Sequence, residues 1–138
     1  MTKQELHQAF LETTFRVLKS DIFVNNVDLH INQIDIEIKL VAPHIQTWAF
    51  ISAFNPSPAI FSLEENLLRN QQLSENLTAL NVTFHPAIGI SKDEKWSEES
   101  FFIENISEEN AFKLAAKYGQ LAFVYAKTKE KIQLIYCK

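Results

Sequence analysis

Residues 48–70, WAFISAFNPSPAIFSLEENLLRN, decide the fold because they contain a strand, a loop and a helix in succession. Residues 48–54 are largely apolar at both odd and even positions, which is typical of a strand covered on both faces. The Asn55-Pro56-Ser57-Pro58 segment predicts a stiff, extended loop, since proline cannot donate to a sheet ladder and disfavours helix in the residue before it. Ser62 and Glu65 have the spacing of a helix capping box. The sequence therefore predicts a central strand, a fixed loop and a capped helix.

The predicted helix over residues 63–80 carries two amides on its apolar face. At about 100° per residue that face consists of Leu63, Leu73, Leu77 and Leu80. Asn66 and Asn70 fall in its middle, and Arg69 lies on its flank. A buried polar group without a partner costs ~1–3 kcal/mol, so both amides need partners. Either they hydrogen-bond the backbone of the preceding loop, or they line a pocket.

Length and composition limit the class of protein. A chain of 138 residues fits a single domain, and 46% hydrophobic with 22% charged residues is ordinary for a soluble globular protein. A net charge of −4 without a basic cluster argues against nucleic acid as a partner. Two glycines leave no glycine-rich phosphate loop. The single cysteine, the absence of a signal peptide and of any apolar run near ~20 residues predict a cytoplasmic protein without membrane contact.

The segments before residue 48 predict one helix and two strands. Thr2 caps a helix that we expect to run to about Leu18, with an apolar face wide enough to lie in a groove or to form a homodimer contact. A short strand is expected over 28–31. Ile34, Ile36, Ile38 and Leu40 alternate with polar residues, which predicts a half-exposed strand.

The segments after residue 80 predict four strands and one helix. Pro86 restricts the strand over 82–90 to an edge or a bulge, and His85 has no second ligand at a metal-site spacing. Residues 96–103 form a strand in which Glu98 and Ser100 share one face and Glu99 lies on the other. A helix capped by Ser107 and strands over 121–126 and 132–136 complete the chain.

The order of these elements predicts an α+β fold with a two-layer, mostly antiparallel sheet. Its middle, residues 47–126, has the β-α-β-β-α-β order of a ferredoxin-like unit, with an extra N-terminal helix. A different α/β sandwich with the same element order is the competing interpretation.

Several spaced motifs resemble those of a known family. They are Trp48 to Pro56 (WAFISAFNP), Glu65-Asn66, Arg69-Asn70, Trp96 to Ser100 (WSEES) and Tyr118-Gly119-Gln120. Together they resemble a bacterial family of small proteins, the domain of unknown function three-two-nine-three, over residues 48–124. The sequence departs from that pattern at Ser97, where the family tends to have proline, and at Phe54, where tryptophan or tyrosine is usual. The resemblance supports the element layout and implies no activity.

Two functional classes centre on the polar residues of these motifs. The first is a ligand-binding or regulatory module for a small anion, held at the helix N-terminus beside Arg69. The second is a small enzyme, a hydrolase or transferase acting on an anionic metabolite, with Ser57 or Ser100 as nucleophile or binder and Glu98 or Glu99 as base. The predicted ligand-binding residues are Asn55, Ser57, Asn66, Arg69, Asn70, Trp96, Glu98, Glu99, Ser100 and Gln120.

A third class, a protein-interaction part, depends on the wide apolar face of the N-terminal helix. No cofactor or metal is expected. We expect Arg69 to form an ion pair with Glu98 or Glu99, because a guanidinium on the edge of an apolar face needs a carboxylate or an anion. A purely structural ion pair of this kind is the alternative to a binding role.

Overall fold

A computed structural model describes residues 2–56 and 59–138, and within them it contains four helices and one antiparallel sheet of seven strands. The elements in chain order are α1 (Lys3–Glu12), β1 (Thr14–Val17), β2 (Val27–Leu29), α2 (Glu37–Val41), β3 (Thr47–Ile51), α3 (Leu63–Ala79), β4 (Phe84–Ile90), β5 (Ser97–Glu104), α4 (Glu108–Lys117), β6 (Ala122–Lys127) and β7 (Gln133–Tyr136). The strand order across the sheet is β2-β1-β4-β5-β3-β6-β7. The α+β class predicted from the sequence is confirmed.

Strand β3 lies inside the sheet, as its apolar faces predict. It pairs with β5 through Trp48 opposite Glu104 and with β6 through Trp48 opposite Ala126. Its side chains alternate between two cores, so that Trp48 and Phe50 face one side while Ala49 and Ile51 face the other. A strand with apolar residues at every position is stable only when both faces are covered.

Helices cover both faces of the sheet, which differs from the predicted two-layer arrangement. Leu73 and Leu77 of α3 and Leu114 of α4 pack on one face. Ile38 of α2 packs on the other, joined at the margin by partly buried apolar residues of α1. Residues of the irregular segments, Phe23, Ile31 and Ile45, complete the cover of this face together with the two helices.

The N-terminal helix is shorter than predicted, because it ends at Glu12 and a strand follows at once. The Thr13 hydroxyl donates to the Ala9 carbonyl over 2.7 Å, and the Thr13 backbone is extended. In this strand the side chains of Phe15 and Val17 are buried. Arg16, between them, donates from Nε and Nη2 to the two carboxylate oxygens of Asp28 in β2, at 2.7 and 3.1 Å. The apolar residues that suggested a longer helix therefore fit a period of two as β1.

The strand predicted over residues 34–40 is wrong. The Asp35 carboxylate accepts the backbone N–H of Ile38 at 3.0 Å and the indole N–H of Trp48 at 2.6 Å, and the short helix α2 begins at Glu37. Burial raises the pKa of Asp35 above its usual range. Within this segment Ile38 is buried, whereas Ile36 and Leu40 are exposed. Only the start of the segment pairs, through an isolated antiparallel bridge between Ile34 and Lys131, and the period-two pattern beyond it does not form a strand.

The expectation that Pro86 places its strand at an edge or a bulge is also wrong, because β4 lies between β1 and β5. The Pro86 carbonyl accepts the Leu18 N–H at 3.0 Å on the β1 side of the strand. In an antiparallel strand a residue's N–H and carbonyl point to the same neighbour. The N–H that Pro86 lacks would therefore have pointed toward the β1 side, just beyond Val17, where β1 ends. The hydrogen bonds between β4 and β5 are not affected.

Candidate functional site

A cavity of about 140 Å³ lies between α1 and the sheet. Its walls are mostly apolar, with Phe10 of α1 and Phe50 of β3 among them, and its polar side chains include Glu98, Ser100 and Gln120. A more open pocket of about 230 Å³ adjoins the cavity, shares Glu98 and Gln120 with it and adds Asn55. We call the first pocket the α1 cavity and the second its mouth.

Glu98 is the carboxyl group of the α1 cavity. It lies near the start of β5 on the same face as Ser100, and it is partly buried, whereas Glu99 on the opposite face is exposed. Burial raises the pKa of Glu98 to about 7, and a hydrogen bond from Asn55 opposes this effect. Glu98 therefore changes charge near neutral pH, which is a property of groups that bind or transfer protons.

The Asn55 amide is held in one orientation by the start of α3. Its Oδ1 accepts from Asn66 Nδ2 and from the Phe61 N–H, both at 2.9 Å, so that its Nδ2 points at Glu98 Oε1 over 3.2 Å. The Asn55 N–H in turn donates to Asn66 Oδ1 at 2.8 Å. The Asn55 backbone has φ +43°, a left-handed conformation that asparagine tolerates better than most residues. Asn66 thereby orients the hydrogen-bond donor of Glu98.

Arg69 donates hydrogen bonds to backbone carbonyls, and the prediction that it forms an ion pair with Glu98 or Glu99 is wrong. Its Nε donates to the Ala53 carbonyl at 2.9 Å and its Nη2 donates to the Tyr118 carbonyl. Its guanidinium lies over the Phe61 and Tyr118 rings, at 5.5 and 5.7 Å from their centroids. Tyr118 is the C-cap of α4, where free carbonyls favour a cation. Arg69 therefore joins the end of β3 to the end of α4.

Gly119 and Gln120 hold the same loop from the other side. A Cβ on Gly119, whose φ is +69°, would lie 2.8 Å from Pro56 Cβ. Gln120 is buried, and its Nε2 donates to the Phe54 carbonyl at 2.9 Å and to the Tyr118 carbonyl at 3.4 Å. The loop after β3 is therefore fixed by contacts with both α3 and the segment that follows α4.

Of the ten predicted site residues, five line the α1 cavity or its mouth, four lie elsewhere, and one is outside the described residues. Those that line the α1 cavity or its mouth are Asn55, Trp96, Glu98, Ser100 and Gln120. Asn66 and Arg69 lie behind the loop and support it, Asn70 is buried on α3, and Glu99 faces away from the cavity. Ser57 lies outside the residues that the structure describes.

Burial of the two α3 amides is confirmed, with Asn66 4% and Asn70 9% exposed. Asn66 forms hydrogen bonds with the backbone of the preceding loop, at the Asn55 N–H and the Phe61 carbonyl, which was one of the two roles predicted for these amides. The Oδ1 atom of Asn70 is buried and has no hydrogen-bond partner among the described residues. The apolar face is narrower than predicted, because Leu63 and Leu80 are exposed while Leu73 and Leu77 are buried.

The sequence interpretation missed the α1 side of the cavity. Leu6 and Phe10 form part of its wall, opposite Phe50 and Ser52 of the sheet. Two signals were available: the apolar face of α1, which suggested a groove, and Ser52, a polar residue on the Phe50 face of an apolar strand. The Ser52 hydroxyl donates to the Glu99 carbonyl at 2.9 Å and accepts the Phe54 N–H at 3.0 Å.

A second polar cluster lies at the other end of β5. Glu104 is 5% exposed and binds His85 Nε2 at 2.5 Å and His44 Nε2 at 2.7 Å. His85 is buried beside Phe23, while His44 is about half exposed. Within residues 2–56 and 59–138, no group of three or more His, Cys, Asp or Glu side chains has the geometry of a metal site. The two histidines are therefore the hydrogen-bond partners of the buried Glu104 carboxylate.

Comparison with known proteins gives one match, and it concerns the polar half of the site. The model of a protein family matches residues 51–123, which is more than half of the chain and includes Asn55, Asn66, Glu98 and Gln120. No curated protein and no solved structure matches the chain. None of the helices in the described part of the chain is both long and apolar enough to cross a membrane. The chain belongs to the family described as "Protein of unknown function (DUF3293)".

Proposed function

We propose that this protein is a small-molecule binding module and that the α1 cavity is its binding site. One observation carries the proposal: a partly buried carboxyl group, Glu98, stands in an apolar cavity and is aimed by a rigid amide, Asn55. Binding sites for small molecules are mostly apolar concavities with a few fixed polar groups. The proposal also treats β3 to β6 as a ferredoxin-like unit, supported by the strand order β4-β5-β3-β6.

The size of the cavity sets the size of the ligand's apolar part. Its volume of about 140 Å³ is close to the ~150 Å³ of a cavity that admits benzene. An apolar body of about one aromatic ring therefore fits between Phe10 and Phe50, with its polar end directed toward Glu98. Trp96, about half exposed at the mouth, is placed to cover what extends outward.

The charges around the cavity favour a neutral or cationic ligand over the anion expected from the sequence. The described residues that line the cavity and its mouth include no lysine or arginine. Arg69, on which the anion hypothesis depended, donates to two backbone carbonyls. An anion would therefore meet Glu98 without a compensating cation, which is costly in an apolar site.

The other two functional classes receive less support from the geometry. The Ser100 hydroxyl donates to the Glu98 carbonyl at 3.2 Å, and the four histidines bind Tyr136, Thr14 or Glu104 rather than a serine. A homodimer through α1 stays a prediction, but the cavity gives the apolar residues of α1 another role.

Binding of one-ring probes tests the proposal. Toluene and benzyl alcohol are added to the protein, and binding is followed by thermal unfolding and by amide chemical shifts. We expect shifts around the α1 cavity and a rise in Tm that depends on ligand concentration, since a ligand at ten times its Kd stabilises by about 1.4 kcal/mol.

A matched pair of variants separates the cavity from the rest of the surface. Ala122 lines the cavity, so Ala122→Leu should fill it and abolish binding. Ala116 is exposed on α4, which packs on the opposite face, and Ala116→Leu should bind as the wild type does. Absence of binding by every probe, or equal binding by both variants, contradicts the proposal.

A further inference from the structure

We infer that the ligand of the α1 cavity carries a protonated amine, whose N–H groups donate to the Glu98 carboxylate while its apolar body fills the cavity. This inference rests on the proposed function, because it names the chemical class of the ligand for the same site. Its basis is the direction of every hydrogen bond that the polar lining already makes.

The donors of the polar lining are already in use. Asn55 Nδ2 donates to Glu98, and Gln120 Nε2 donates to two backbone carbonyls. The hydroxyls of Ser52 and Ser100 donate to carbonyls of β5, and the Thr13 hydroxyl donates to the Ala9 carbonyl. The exceptions among the described lining residues lie at the mouth: the indole N–H of Trp96 and the second N–H of Asn55 Nδ2, which donates to Glu98 with the other. A ligand that offers acceptors alone would find no donor deeper in the cavity.

The acceptors, in contrast, remain available. Of the two Glu98 oxygens, Oε1 accepts from Asn55, and no described residue donates to Oε2. Gln120 has its Nε2 engaged, so the polar atom that it can offer a ligand is the carbonyl Oε1. An ammonium group supplies three donors and a positive charge, and hydrogen bonds between charged groups are the stronger ones. The lining therefore selects a cationic donor.

Glu98 is the one titratable side chain among the described residues of the cavity and its mouth. The other described lining residues come from α1, β1, β3, β4, β5, β6, β7 and the segments that adjoin these elements, and all of them are apolar or neutral. The charge of the pocket therefore follows Glu98 alone. With the pKa of Glu98 raised to about 7, the carboxylate predominates above that pH and the neutral acid below it.

Three probes with the same aromatic ring test the inference: toluene, and the isosteric pair benzyl alcohol and benzylamine. Each is titrated at pH 8 and at pH 5.5 against the wild type, Glu98→Gln and Glu99→Gln. We expect benzylamine to bind wild type at least about tenfold more tightly than benzyl alcohol at pH 8, as a charged hydrogen bond in an apolar site allows. The preference should fall to about twofold or less at pH 5.5, where Glu98 is mostly protonated.

The two variants distinguish the Glu98 carboxylate from the general charge of the protein. Glu98→Gln keeps an acceptor for Asn55 but removes the charge, so it should lose the benzylamine preference at both pH values. Glu99→Gln changes the net charge equally on the opposite face of β5 and should behave as wild type. If the neutral probes bind and benzylamine is no better, the inference fails and the proposed function stands. If no probe binds, the proposed function fails first.

Discussion

The loop that presents Asn55 should depend on Asn66 far more than on Asn70, although both amides are buried on α3 one turn apart. Asn66 makes hydrogen bonds of 2.8 and 2.9 Å to Asn55 and a longer one of 3.4 Å to the Phe61 carbonyl. Asn66→Ala removes all of them and leaves the Asn55 N–H without its partner. At ~1 kcal/mol for each bond, and ~1–3 kcal/mol for a buried group left unpaired, the loss is about 3 kcal/mol.

Asn70→Ala is the matched control, with the same substitution at a similarly buried position. Because Asn70 Oδ1 has no partner among the described residues, its removal relieves an unfavourable burial that offsets the small void left behind. We expect a loss of about 1 kcal/mol or less. The two variants should therefore differ by about 2 kcal/mol in the free energy of unfolding.

Urea unfolding measures this difference, followed by tryptophan fluorescence because Trp48 is fully buried in the native state. Thermal unfolding should show Tm lowered by about 10 °C in Asn66→Ala and by a few degrees in Asn70→Ala, given roughly 3–5 °C per kcal/mol for a domain of this size. Equal losses, or a larger loss for Asn70→Ala, would refute the assignment of Asn66 as the support of the Asn55 loop.

Three further predictions concern stability. The pKa of Glu98, raised to about 7 from an ordinary 4.5, means that the native state keeps a proton that the unfolded state loses between these values. This stabilisation is complete below pH 4.5 and is lost as the pH rises through 7. The free energy of unfolding in urea should therefore be higher at pH 5 than at pH 8 by up to roughly 3 kcal/mol in the wild type, and the difference should be much smaller in Glu98→Gln. Glu104→Ala should cost about 3 kcal/mol or more because it leaves the buried His85 without its partner, whereas His44→Ala, at a half-exposed position, should cost less by the same measurement. The reverse order would contradict the assignment of Glu104 as the buried centre of its cluster. Gly119→Ala should lower stability by about 2–3 kcal/mol, since its positive φ and the 2.8 Å approach to Pro56 both oppose a Cβ, and an unchanged Tm would show that the loop yields freely.

The parts of the fold that the sequence predicted are those governed by local interactions. The start of α3 follows from the capping box of Ser62 and Glu65, whose two reciprocal hydrogen bonds join residues three apart. The inside position of β3 follows from apolar residues at every position, a pattern that an edge strand would expose to water. Neither depends on knowing what the rest of the chain does.

The errors arise where distant residues decide the local structure. The segment that contains Asp35 alternates between apolar and polar residues as a strand would. The Asp35 carboxylate, however, accepts hydrogen bonds from the indole N–H of Trp48, thirteen residues later, and from the backbone N–H of Ile38 at the start of the helix α2. Thr14–Val17 becomes a strand because Phe15 and Val17 pair with residues of β4 that lie 70 or more positions later in the chain. Period and propensity do not contain these contacts.

The candidate site was predictable to the same degree. The position of Glu98 and Ser100 on one face of β5 follows from the alternation of a strand. The partners of Arg69 do not, because they are backbone carbonyls, and every residue has one. For the α1 side of the cavity the sequence offered two signals, the apolar face of α1 and Ser52, but not the position of α1, since that requires the helix to end at Glu12 and lie against the sheet.

The two ends of the cavity come from different parts of the chain. Residues 51–123, which match the family, contain Glu98 and Gln120 together with the Asn55 loop that orients the carboxyl group. Helix α1, whose Leu6 and Phe10 enclose the apolar end, lies outside that range. Under the proposed function, selection for the charged end of a ligand is tied to the matched segment and its fixed loop. The size of the apolar body is set in part by the apolar side chains of α1, which take no part in the hydrogen bonds that join Asn66, Asn55 and Glu98. We therefore expect substitutions of Leu6 or Phe10 to change the accepted size while these hydrogen bonds are kept.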